Sequence, residues 1–169
     1  KFFVVVNGAC KDKDIDWIQS HLPDSVTLTH LEDRALIALQ GPKAETVLHD
    51  ALGVDASDLD YMRYMDGEES FVSRLGYTGE DGFEISMKNE DAETMWNKFM
   101  AHDDVKAIGL AARDSLRLEM GYPLYGHDID ATTSPVEADS TWIMGKRTNT
   151  TFIGAERVMS ELENGVSRK

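Results

Sequence analysis

Between Gly76 and Ile85 the chain reads GYTGEDGFEI, with a glycine at every third position and two acids at the tip. The run FEISM after the last glycine alternates apolar and polar residues, which is the two-residue period of a strand with one buried face. Asp81-Gly82 is a favoured two-residue turn pair. The stretch therefore reads as a hairpin, with SRLGYT running into the tip and FEISM running out. A turn at Asp81-Gly82 sets Gly79 opposite Glu84 and Tyr77 opposite Ser86; a turn at Glu80-Asp81 sets Tyr77 opposite Glu84. Either register puts Tyr77, Gly79 and Glu84 on one face and sends Phe83, Ile85 and Met87 to a core. A dinucleotide-binding turn does not fit, because its glycines are spaced two and then three apart and open a helix. Glu80 and Asp81 would also repel a phosphate. A calcium loop does not fit either, since its alternate oxygen ligands are lacking. Two readings stay open here: an ordinary solvated polar face, or a pocket wall in which Gly79 leaves room for a ligand.

Around this hairpin the pattern mixes helices and strands. FFVVVNG is an apolar run ending in a turn pair, so a buried strand, and KDKDIDWIQSHL carries Ile15, Ile18 and Leu22 at helical spacing before Pro23. VTLTHLEDRALIALQ reads as two strands about a Glu32-Asp33 turn. Gly41-Pro42 opens a helix whose apolar face is Ala44, Val47, Leu48, Ala51 and Leu52, and Gly53 sits where its C-cap belongs. Short strands are expected around 59–64 and 69–75. Ala92, Met95, Trp96 and Phe99 predict an amphipathic helix over 91–100. IGLAARDSLRLEMG predicts another, with Ile108, Ala112, Leu116 and Met120 turned inward, and residues 121–150 are loop-rich. Helices and strands joined by short turns predict an α+β fold with mixed or antiparallel sheets.

On that later helix Arg113 and Arg117 stand four apart on one face, with Asp114 three residues before Arg117. The pair forms either a solvated salt-bridge face or a guanidinium wall facing a planar acceptor or carboxylate. His127, Asp128 and Asp130 read as turn formers rather than as a metal set, because the other histidines are scattered without ligand spacing. Cys10 has no CxxC partner and reads as a structural thiol. No G-x-S-x-G motif is present.

Composition narrows the class further. A net charge of −14 argues against a general nucleic-acid binder, which presents basic stripes to phosphate. No apolar run approaches the roughly 20 residues of a membrane helix. One cysteine excludes an internal disulfide, and eight methionines fit a reducing interior. With an apolar strand opening at Lys1, the sequence reads as a piece of a longer protein.

Three stretches, LGYTGEDGFEIS, AIGLAARDSLRLEMGYPLYGHDID and TTSPVEADSTWIMGKR with TFIGAE, together resemble the aminomethyltransferase (T-protein) family of the glycine cleavage system. ALIALQGPKAETVL and VVVNGACKDKD resemble the family's preceding segments, so the resemblance runs collinearly from Phe2 to Ala155. It implies the family's folate-binding α+β fold, incomplete at both ends. Residues 1–155 would be the central part of the folate-binding region, and 156–169 a tail leading to a barrel domain.

The family transfers the methylene of an aminomethyl group from the lipoyl arm of a carrier protein, the H-protein, to tetrahydrofolate. Methylenetetrahydrofolate and ammonia are the products. The resemblance implies folate contacts from Glu84 and Arg113, a cavity-lining Tyr77, and pterin contacts from Val5 and Asn7. No metal, nucleic acid or membrane partner is expected from the spacing, charge and hydropathy above, and the setting is expected to be cytoplasmic, or the mitochondrial matrix in a eukaryote. The family's catalytic aspartate lies before the strand that opens this chain, so the chain alone is expected to be inactive. The alternative is a folate-binding or interaction module, such as that of dimethylglycine or sarcosine dehydrogenase-type proteins, without transferase activity. An aspartate in the parent's upstream sequence would discriminate between the two.

Overall fold

The computed structural model describes residues 2–67, 70–145 and 150–168. Its centre is the strand Gly82–Lys88, the fourth in chain order (β4), in which Phe83, Ile85 and Met87 are at most 1% exposed. The alternation in FEISM thus does what its period predicts. β1 (Arg34–Gln40) pairs antiparallel with β4 along its length, from Arg34 opposite Lys88 to Gln40 opposite Gly82. On the other side β3 (Phe71–Ser73) pairs with β4, and β2 (Tyr64–Asp66) pairs with β3. The sheet is four-stranded and antiparallel, in the order β1-β4-β3-β2, so β1 and β2 are its edges.

Two helices cover the apolar face. α2 (Ala44–Leu52) buries Ala44, Val47 and Leu48, and Gly53 closes it in the left-handed conformation expected of a C-cap. α3 (Ala92–Met100) buries Phe99 and packs on α2 and β1. Leu48, Phe83, Ile85 and Met87 are the largest fully buried side chains; each contributes roughly 1.5–3 kcal/mol by leaving water. Around this core stand α1 (Lys11–His21), α4 (Leu110–Glu119) and α5 (Ala155–Asn164), the last burying Ala155 and Val158. Among the described residues no helix is long and apolar enough to cross a membrane.

Several expectations are corrected. Residues 2–7 form no strand: Phe2 is 96% exposed and Val5 61%, because their backbone meets no ladder among the described residues. Of the two strands expected in VTLTHLEDRALIALQ only β1 forms; the stretch before the Glu32-Asp33 turn runs free of the sheet, with Val26 and Leu31 about half exposed. The strand expected at 59–64 is largely turn, and β2 begins only at Tyr64. Pro42 sits in the turn before α2, where the Ala44 amide donates to the Gly41 carbonyl at 3.0 Å and delays the helix start. Trp96 is 45% exposed rather than buried. On α4 the expected inward face is largely reversed: Ile108 and Met120 are exposed, and the buried side chain is Arg117. The neighbour of that helix face is the polar turn at 121–128, which supplies acceptors rather than an apolar layer. Residues 146–149, part of the loop-rich stretch, lie outside the described residues.

Candidate functional site

The hairpin expected between Tyr77 and Glu84 is replaced by a broader arrangement. Ser73, not Tyr77, stands opposite Glu84 in the ladder, and residues 74–81 form a loop between β3 and β4. A tight turn is pre-empted because the loop is wrapped around a side chain from β1. Gln40 Nε2 donates to the carbonyls of Leu75 (3.1 Å) and Phe83 (3.3 Å), and Thr78 Oγ1 donates to Gln40 Oε1 (2.9 Å).

Arg74 anchors the loop's first residue to its last. Its guanidinium grips the Asp81 carboxylate through Nε (2.9 Å) and Nη2 (2.6 Å) and reaches Glu45 on α2 at 2.8 Å. Its Nη1 donates to the carbonyls of Ala56 and Leu59. The expectation that Gly79 leaves room for a ligand is also corrected. Gly79 holds a left-handed φ of +80°, and a Cβ there would lie 2.2 Å from Met120 Cγ, so the space is filled by α4's end.

Tyr77 and Glu84 nevertheless share a wall. Both line a cleft of about 400 Å³ beside the free edge of β1, bounded by the end of α3, the segment 104–109 and the start of α4. Thr78, Gln40 and Arg113 add polar groups, while Trp96, Phe99 and Leu110 supply apolar surface. The Arg113 guanidinium carbon lies 4.6 Å from the centre of the Tyr77 ring, a cation–π distance. The Tyr77 hydroxyl donates to the Pro123 carbonyl, and the ring stacks on Tyr122 at 5.6 Å.

Half-buried Glu84 has its pKa raised above the usual carboxylate value, chiefly by desolvation and partly offset by the positive charge of Arg113. The Tyr77 phenol is likewise pushed up by burial, against the pull of Arg117 and Arg113. The chemistry on offer is a desolvated carboxylate, a planar cation and an aromatic face around a largely apolar cleft.

The two arginines separate cleanly. Arg113 is exposed and faces the cleft; Arg117 is 4% exposed and held by Asp114 (2.8 Å), the Tyr122 carbonyl (3.0 Å) and Asp128. Asp128 also accepts from the Leu124 amide, and Asp130 from Thr132 and Thr133, which lowers the Asp130 pKa to about 2. These acids serve the turn. Val5 and Asn7 lie on the exposed N-terminal segment and are not among the residues lining the cleft; Asn7 Oδ1 accepts from the Ala9 amide at 3.4 Å. Cys10 is partly exposed and unpaired.

Gln40, Thr78 and Trp96 belong to the cleft, and the sequence reading does not place them there. Trp96 fits the helical period and so reads as core. Gln40 ends an apolar strand, and its polar side chain just before Gly41-Pro42 is the one signal that could have pointed to it.

Comparison with known proteins places the chain in a family. Residues 1–148 match the family model described as the GCVT N-terminal domain. Over 99% of its length the chain is 43% identical to the probable mitochondrial aminomethyltransferase of Schizosaccharomyces pombe and covers 46% of that protein. It is 42% identical to an aminomethyltransferase of Flavobacterium psychrophilum, covering 99% of this chain and 49% of that one. The crystal structure of glycine cleavage system aminomethyltransferase T from Bartonella henselae superposes with a TM-score of 0.87 and 38% identity. That match covers 95% of this chain and 45% of the other. The chain therefore spans about half the length of the curated relatives it matches, and its α+β fold with an antiparallel sheet is theirs. This chain belongs to the GCVT N-terminal domain family, alongside those aminomethyltransferases.

Proposed function

We propose that the chain supplies a tetrahydrofolate-binding site for aminomethyl transfer in glycine cleavage. In this reading the donor is an aminomethyl group on the lipoyl arm of a carrier protein, and the products are methylenetetrahydrofolate and ammonia. The observation that carries the reading is the convergence of Glu84, Tyr77 and Arg113 on one cleft, in a chain whose relatives are named aminomethyltransferases. A pterin is flat and presents N–H donors along one edge. Ionised Glu84 accepts those bonds, and the ligand's donors offset the desolvation that raises its pKa. Arg113 offers a rigid planar fork to a carbonyl or carboxylate of the ligand, and it is already oriented by the Tyr77 ring. Trp96, Phe99 and Leu110 offer the rings apolar surface. Val5 and Asn7 enter this reading by resemblance alone.

Trp96 lines the cleft, whereas Trp17 and Trp142 do not, which supplies a direct test. Tetrahydrofolate added to the protein should quench tryptophan emission saturably. Trp96→Phe should abolish that quenching, and Trp17→Phe should keep it. Quenching that survives Trp96→Phe would locate binding elsewhere and overturn the assignment.

A further inference from the structure

We propose that Gln40 is a positioning residue of the site, whose side-chain amide holds the 75–83 loop so that the Tyr77 ring meets Arg113 and the cleft. Its relevance to ligand binding rests on the folate-site reading above; its grip on the loop does not.

Gln40 closes β1 opposite Gly82, and its side chain crosses into the loop instead of ending at the strand. The amide touches the loop at both ends and in the middle. Nε2 donates to Leu75 O at 3.1 Å and Phe83 O at 3.3 Å, and Oε1 accepts from Thr78 Oγ1 at 2.9 Å. Thr78 is only 6% exposed, and its hydroxyl also accepts from the Glu80 amide at 3.3 Å. Nε2 also lies 3.3 Å from the carbonyl of Leu39 on the strand, and serving the loop's two carbonyls and one hydroxyl takes two N–H donors and an acceptor on one side chain. An amide has these; a carboxylate or a thioether of similar length does not.

The loop's glycines are fitted to that side chain. A Cβ at Gly76 would lie 1.9 Å from Gln40 Oε1, and one at Gly82 would lie 2.6 Å from Gln40 Nε2 and from the Leu39 carbonyl. Gly76 is not in the left-handed region, so what a side chain would meet there is Gln40 rather than backbone strain. Tyr77 stands between Gly76 and Thr78, both of which are seated on this amide. The base of its ring is thus set by Gln40, while its hydroxyl is tied to the Pro123 carbonyl. A neighbouring backbone bond, Gly41 N–H to Asp81 O at 2.8 Å, closes the loop on the same side.

The test uses Gln40→Met and Gln40→Glu, which keep length and remove donors, in the intact 169-residue chain. Amide hydrogen exchange over 75–82 should accelerate about tenfold in both, while exchange in α2 and α3 stays unchanged. Affinity for tetrahydrofolate should fall by a similar factor. Gly76→Ala should reproduce the exchange phenotype, because its methyl evicts the amide. In a Gln40→Ala background Gly76→Ala should add little, since the space is then free.

Unchanged exchange over 75–82 in both Gln40 variants would overturn the proposal, as would full additivity of Gly76→Ala with Gln40→Ala. If the unsubstituted chain binds no tetrahydrofolate, the folate reading fails, and the exchange experiment still decides the role of Gln40.

Discussion

The Arg113 guanidinium stands over the Tyr77 ring at 4.6 Å, on the cleft that Glu84 also lines, while Arg117, one helical turn later, is buried against Asp114 and Asp128. The two residues are chemically identical, so the same substitution should affect different properties. Arg113→Lys should weaken tetrahydrofolate binding about 10-fold with little change in melting temperature, because an ammonium loses the planar fork and the stacked pose. Arg117→Lys should lower the melting temperature, since one ammonium cannot serve two carboxylates and a carbonyl in that geometry. Calorimetric titration and thermal melts on both variants separate the two roles.

Tyr77 has two distinguishable parts. Its ring faces Arg113, and its hydroxyl is tied to Pro123. Tyr77→Phe keeps the ring and should cost about 1 kcal/mol of stability with ligand affinity nearly retained. Tyr77→Leu removes the aromatic face and should weaken binding several-fold beyond that, which a titration of both variants would show.

Glu84 carries a pH signature. Its carboxyl has a raised pKa in the folded chain because burial disfavours the charged form. Between the ordinary value of 4.5 and that raised value the folded state holds the extra proton. Stability of the ligand-free chain should therefore fall as pH rises through this window and stay level above it. Glu84→Gln removes this penalty, so at pH 7 the ligand-free variant should melt at or above the temperature of the parent. Chemical denaturation across pH 4–8 for both proteins would check the sign.

Arg74 is an anchor rather than a ligand contact. Its side chain is 17% exposed and joins Asp81, Glu45 and two backbone carbonyls. Arg74→Ala leaves two carbonyls and two partly exposed carboxylates without their partner and should cost about 1–2 kcal/mol, measurable by urea unfolding. Arg74→Lys should recover only part of that loss.

Much of the sheet and its covering helices is legible because their periods are local. Phe83, Ile85 and Met87 announce a buried strand face, and Ala44, Val47 and Leu48 announce a helix stripe. The loop is not legible in the same way. Asp81-Gly82 is a sound turn signal, yet the register depends on Gln40, far away in the chain, reaching between Leu75 and Phe83. Which arginine is buried likewise depends on where the turn holding Tyr122 and Asp128 comes to lie. Phe2 to Val5 mislead because an apolar run looks the same with or without a partner strand. A hairpin register puts Tyr77 and Glu84 on one face, but what brings them to one cleft is a loop folded over β1.

The role proposed for the cleft holding Glu84, Tyr77 and Arg113 is to bind tetrahydrofolate through the Glu84 carboxylate. Isothermal titration of tetrahydrofolate, kept reduced, into the chain and its Glu84→Gln variant at pH 7 decides it. Binding to the parent should be saturable, with one site. Affinity should be lower by about 10- to 100-fold in the variant, the loss of a charge-assisted hydrogen bond, with no drop in melting temperature. Equal affinity in the two proteins, or no binding to the parent, would contradict it.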